Sequence, residues 1–151
     1  MIKLTVELVP KTAWYSNVRS NVSREEWDVI RHKVYADAGY VCEICGGVGK
    51  KHPVECHEVW EYDDKKHVQK LARMIALCPA CHSVKHLGRA KIVGIYHLAI
   101  DQLMKVNGWT YAEADAYAKK AFEEWKRRSN HPWKLDLRAL NKYNMVKTGG
   151  K

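Results

Sequence analysis

Leu77-Cys78-Pro79-Ala80-Cys81-His82-Ser83-Val84-Lys85-His86 decides the reading of this 151-residue chain. It joins a Cys-x-x-Cys knuckle, Cys78 and Cys81, to two histidines four residues apart. A second knuckle, Cys42 and Cys45, lies upstream, with 32 residues between Cys45 and Cys78. Two knuckles supply four thiolates, the full tetrahedral complement of a structural zinc ion. A redox dithiol, the rival reading, needs only one pair. The gap is longer than the roughly 15–20 residues of a zinc ribbon, and the excess is filled by an expected strand pair. Cys56, His57, His82 and His86 remain as a second cluster that the zinc holds in place.

Working outward, Pro79 suits a first helical position, and a helix reaching about Ala90 puts His82 and His86 on one face, within reach of one ion. Val54 to Tyr62 alternates as a strand, with Val54, Cys56, Glu58 and Trp60 on one face and His57, Val59 and Glu61 on the other. A polar turn, Asp63-Asp64-Lys65-Lys66, leads to a second extended piece over Val68 to Leu77. Upstream, Ser23 with Glu26 is a capping box for a helix to about Ala38, stopped by Gly39 and facing the core with Trp27, Ile30 and Val34. The alternating Met1 to Leu8 reads as an N-terminal strand. Downstream, Lys91 to Val106 carries Ile92, Ile95, Ala99, Leu103 and Val106 on one stripe, ended by Asn107-Gly108. Thr110 with Glu113 caps a helix to about Arg128, so the two form an antiparallel hairpin. Trp133, Leu135 and Leu137 should dock the chain end on the domain.

The expected class is therefore α+β, in three parts and a tail. Residues 1–41 form a strand and helix packed on the core, and 42–90 the metal module. Residues 91–147 form a helical extension, and 148–151 a disordered tail. Lysine and arginine number 26 against 17 acidic residues, a net charge of +9, of which residues 91–151 carry +6. That balance favours a polyanionic partner, with a solvated basic surface as the alternative. Lys119, Lys120, Lys126, Arg127 and Arg128 share one helix with Trp125, and Trp133 is nearby, a pattern suited to phosphate backbone or exposed bases. Core tryptophans beneath a solvated face fit equally well. Five cysteines without a signal peptide point to a reducing compartment, and no apolar run nears the roughly 20 residues of a membrane span. The expectation is a soluble, cytoplasmic protein of unassigned oligomeric state.

The 77–86 stretch, with Val54-Glu55-Cys56-His57-Glu58-Val59, resembles the HNH endonucleases, ββα-metal nucleases with zinc knuckles, over about residues 40–90. The resemblance implies a zinc-stapled ββα-metal core with Cys42, Cys45, Cys78 and Cys81 on the structural zinc. It implies that His57 is the general base and that Cys56, His82 and His86 hold a second divalent ion (zinc, manganese, nickel or magnesium). The implied activity is metal-dependent hydrolysis of DNA phosphodiester bonds. Two positions depart from the family. Cys56 stands where it has His or Asp. Arg73, nine residues before His82, stands where it has Asn; it lacks the acceptor but can clasp phosphate, as can Lys85. These departures keep open a module that binds nucleic acid or a protein without cutting.

Overall fold

Two strands and the helix that follows them organise the molecule. In the computed structural model, which describes residues 2–14 and 17–143, β1 (Glu55–Asp63) pairs antiparallel with β2 (Val68–Leu77). Register runs Glu55↔Leu77, His57↔Ile75 and Val59↔Arg73, then slips to Trp60↔Leu71, leaving Ala72 as an extra residue on β2. This bulge resets the alternation, so Leu71 shares a face with Met74 and Ala76. Cys56, Trp60, Leu71, Met74 and Ala76 pack with α1 (Val18–Asn21), α2 (Arg24–Asp37) and the closing 3-10 turn (Arg138–Tyr143). Val59, Ile75 and Leu77 pack on the other side with α3 (Pro79–Lys85), α4 (Leu87–Ile92), α5 (Tyr96–Asn107) and α6 (Tyr111–Arg128). The result is a mixed α+β arrangement with helices on both faces of a three-stranded sheet.

Three expected helix ends hold. Ser23 and Glu26 form the reciprocal capping box of α2, and Thr110 and Glu113 that of α6. Pro79 opens α3, whose cap is Cys78 itself. Ile30 and Val34 are buried as their spacing requires. The basic α6 packs on α5 across a short link.

Three elements differ from expectation. The N-terminal segment is not a strand. The Lys3 and Leu4 amides both donate to Asn107 Oδ1 at 3.0 Å, and the Val6 amide donates to the Tyr117 hydroxyl at 3.2 Å. Side chains of the helical hairpin thus replace a strand partner, while the alternation still buries Leu4 and Val6. Such burial is worth about 1.5–3 kcal/mol per side chain. The helix expected through Ala90 breaks at His86 (φ −108°, ψ 51°), and α4 begins there. The expected 91–106 helix begins only at Tyr96, because Gly94 takes φ +82° and reverses the chain. Ile92 is consequently 83% exposed rather than part of the buried stripe, and Ile100 is buried in its place. Leu135 and Leu137 do dock on the core, through an added parallel strand β3 (Lys134–Asp136) beside β2. The tail at 148–151 lies outside the described residues. Among the described residues no helix is long and apolar enough to cross a membrane.

Candidate metal centre

The first knuckle is prepared by α2, which delivers the chain to Cys42 through Gly39 at φ +67°. The Cys45 amide points at Cys42 Sγ (3.5 Å) and the Gly47 amide at Cys45 Sγ (3.4 Å). Gly46, at φ +77°, allows this tight return. Glu43 ties the knuckle to the sheet: its amide donates to the Ala76 carbonyl, and its carboxylate accepts the Ala76 amide at 2.6 Å. In the second knuckle the Cys81 amide donates to Cys78 Sγ at 3.4 Å, and Gln102 of α5 donates to Cys81 Sγ at 3.3 Å. The sulfurs of Cys42, Cys45, Cys78 and Cys81 all lie within 4.8 Å of one another. Four cysteines so placed could hold one ion such as zinc.

The electrostatics fit that role. Burial opposes ionisation of Cys42, but the amides of Cys45, Cys78 and Ile44 outweigh it and bring the thiol down to about 7. Burial pushes Cys81 and Cys78 upward. Four thiolates in one site therefore need a cation to coexist.

A second cluster lies where β1 meets α3 and the break at His86. Ring nitrogens of His57, His82 and His86 also lie within 4.8 Å of one another, and the Nε2 atoms of His82 and His86 are 3.1 Å apart. The expected ligand set Cys56/His82/His86 is corrected here. Strand alternation sends Cys56 toward the α2 side, where burial pushes its thiol up to about 12, and it packs against the second core. His57 takes its place in the cluster. Its ring is buried, and burial, aided by the charges of His82, His86 and Lys85, lowers its pKa to about 2. A neutral imidazole with a free lone pair is the form that binds a metal.

Behind the cluster, Glu55 Oε1 sits 2.7 Å from His82 Nδ1 and Glu55 Oε2 sits 2.7 Å from His52 Nε2. Burial disfavours the Glu55 carboxylate, yet the bonds from His52 and His82 hold it below the usual carboxylate range. The sequence motifs alone assign Glu55 no role in this cluster. Its two-residue spacing from His57, on the strand face turned to α3, was the available signal. A cavity of about 180 Å³ opens beside the cluster, lined by His57, His82 and His86 together with Cys56, Glu58, Lys85 and Arg19, so Cys56 borders the cavity without joining the ring-nitrogen cluster. Burial raises the Glu58 carboxyl, although its Oε2 accepts the Val18 amide at 2.6 Å.

The expected nucleic-acid contacts are dispersed. Lys85 is 5% exposed, and its ammonium donates to Thr5 Oγ1 at 2.9 Å and Glu7 Oε1 at 3.0 Å, so it is already committed within the fold. Arg128 is bound bidentately by Asp64, pairs with Glu124 and lies 4.5 Å over the Tyr62 ring. Arg127 pairs with Glu124 and Lys119 with Asp115. Lys120, Lys126 and Arg73 are exposed. Arg73 lies opposite Val59, on the His57 face of the sheet.

No family model, curated protein or solved structure matches the chain.

Proposed function

We propose that the chain is an HNH-type metal-dependent endonuclease that hydrolyses DNA phosphodiester bonds. In this reading β1, β2 and α3 form a ββα-metal core stapled by zinc on the four cysteines. The observation that supports it most is the convergence of His57, His82 and His86, with Glu55 behind His82, at the edge of a cavity. Three imidazole ligands leave part of an ion's coordination open and favour zinc or nickel over magnesium. An ion there supplies positive charge to a phosphate oxygen and to the departing alkoxide.

With His57 given to the metal, the proton acceptor for the attacking water passes to Glu58. Glu58 shares the α2-side face of β1 with Cys56 yet lines the same cavity; the Val18 amide holds its Oε2, and burial raises its pKa in the direction a base needs. The family's arrangement, a ligand followed at once by the base, is thereby kept with a shift of one residue: His57 then Glu58. Arg73, exposed and without the acceptor of the family's asparagine, is the observation that favours the second reading, a non-cleaving nucleic-acid-binding module.

The test is incubation of metal-defined full-length protein with plasmid and single-stranded DNA under magnesium, manganese, nickel and zinc. Wild type should cut with at least one ion. Glu58→Gln should lose about 10²–10⁴-fold in rate while keeping its metal, the usual contribution of a positioned base. His57→Ala should lose the second ion. Binding without cleavage under every ion would reject the nuclease and leave the second reading.

A further inference from the structure

A larger, more apolar groove of about 600 Å³ adjoins the histidine cavity and shares Glu58, Trp60, Lys85 and His86 with it. Trp14 and Trp125 form one wall, their rings stacked with centroids 6.3 Å apart and planes at 24°. Both indole N–H groups donate to the same acceptor, the Val9 carbonyl, at 3.0 Å. The polar edges of both rings are therefore satisfied inside the fold, and Trp14 remains 48% exposed. Phe122 lines the groove as well, and Lys91 lies 5.1 Å over its ring. Arg89 and Lys91 are exposed on its wall, and neither forms an ion pair among the described residues. Gly88 leaves the floor open, since an added Cβ there would meet only Phe122, at 4.0 Å.

Fixed aromatic faces with unpaired cations beside them are the chemistry of a site for unpaired bases. Rings take the base by stacking, and cations take the phosphates that flank it. We propose that this groove binds unpaired bases of single-stranded DNA and leads the strand to the histidine centre. A base-paired duplex cannot offer its base faces to the rings, so the groove selects single strands or opened duplex. This inference rests on the reading of the histidine centre as a nuclease site only for its biological purpose; base binding can be measured without cleavage.

The experiment compares fluorescein-labelled oligothymidine with a duplex of equal length, by anisotropy and tryptophan quenching, on full-length protein with chelator-washed buffers so that nothing is cut. The single strand should bind more tightly than the duplex and quench tryptophan fluorescence. Trp14→Ala and the groove-filling Gly88→Leu should each weaken oligothymidine binding about tenfold, and Trp14→Phe should restore most of it. Arg89→Ala with Lys91→Ala should weaken binding and flatten its salt dependence. Circular dichroism on each variant establishes that the fold is kept. Equal affinity for duplex and single strand, or oligothymidine binding unaffected by both Trp14→Ala and Gly88→Leu, overturns the inference even if the protein cleaves DNA. Selective single-strand binding by a wild type that cuts nothing supports it while rejecting the nuclease.

Discussion

Glu55 Oε1 stands 2.7 Å from His82 Nδ1, on the opposite side of the ring from the Nε2 atom that faces His86. A carboxylate in that place fixes the tautomer and points the Nε2 lone pair into the cluster, which is how ligand histidines are held in metal sites. Glu55→Ala should weaken binding of a second ion by about 10–100-fold, measured by calorimetric titration, with the ion on the four cysteines unchanged. Equal affinity in wild type and variant would remove Glu55 from the centre.

The four-cysteine site makes a prediction about content and stability together. Purified protein should carry one tightly held zinc, and Cys81→Ser should lose both the zinc and the cooperative melt. Zinc binding in small modules is worth on the order of 10 kcal/mol, comparable to a domain's whole stability. Elemental analysis and a thermal scan decide it; a zinc-free protein with an unchanged melting temperature contradicts it.

Cys56 should behave unlike the other four cysteines. Because burial holds its thiol up to about 12, almost no thiolate exists at pH 8, and alkylation should require unfolding. Cys56→Ala should leave both metal stoichiometries intact. Mass spectrometry after a timed iodoacetamide pulse reads the first outcome, and metal analysis the second.

Lys85 is placed to anchor the N-terminal segment through Thr5 and Glu7. Glu7→Gln leaves an ammonium in a buried site with a weaker partner, and should cost about 1–3 kcal/mol in urea unfolding. If Lys85 served nucleic acid instead, the same change would raise DNA affinity with little effect on stability.

Asp136 closes β3 onto the final turn. The guanidinium of Arg138, and then its backbone amide, hold the Asp136 carboxyl down to about 2 from an ordinary 3.8. The folded value lies below the unfolded one, so the stabilisation is complete above about pH 4 and is lost as pH falls through the folded value. Asp136→Asn should melt below wild type at pH 7, and the two should converge near pH 2. A difference that persists at pH 2 would place the effect elsewhere.

The centre of this fold was legible because its signals are local. The Ser23/Glu26 and Thr110/Glu113 boxes, Pro79 after Cys78 and the period-2 run from Val54 each specify geometry within a few residues. The assignment of Cys56 failed on a pairing question. Which strand face meets α3 depends on how β1 sits against the helix, and alternation alone makes Cys56 and His57 equally eligible. Met1 to Leu8 failed for a related reason: its alternation truly marks burial of Leu4 and Val6, but the partner is a helical hairpin about a hundred residues away. The break at His86 precedes Gly88 by two residues, a glycine inside the expected helix, and Gly94 likewise falls inside the expected 91–106 helix. Arg127 and Arg128 read as free cations because Asp64, their partner across the fold, is distant in sequence.

The two bonds to Asn107 Oδ1 and the bond to the Tyr117 hydroxyl span 104, 103 and 111 residues. Among the described residues nothing nearer in the chain accepts from these amides, so this segment has no docking site until the helical hairpin exists. Closing so long a loop costs entropy that only late contacts recover. The N-terminal segment should therefore be the last part to lock during folding, and with it the Glu7 partner of Lys85 and the Val9 carbonyl shared by Trp14 and Trp125. Both cavities then become complete only when that segment has docked, because Val9 lines each of them.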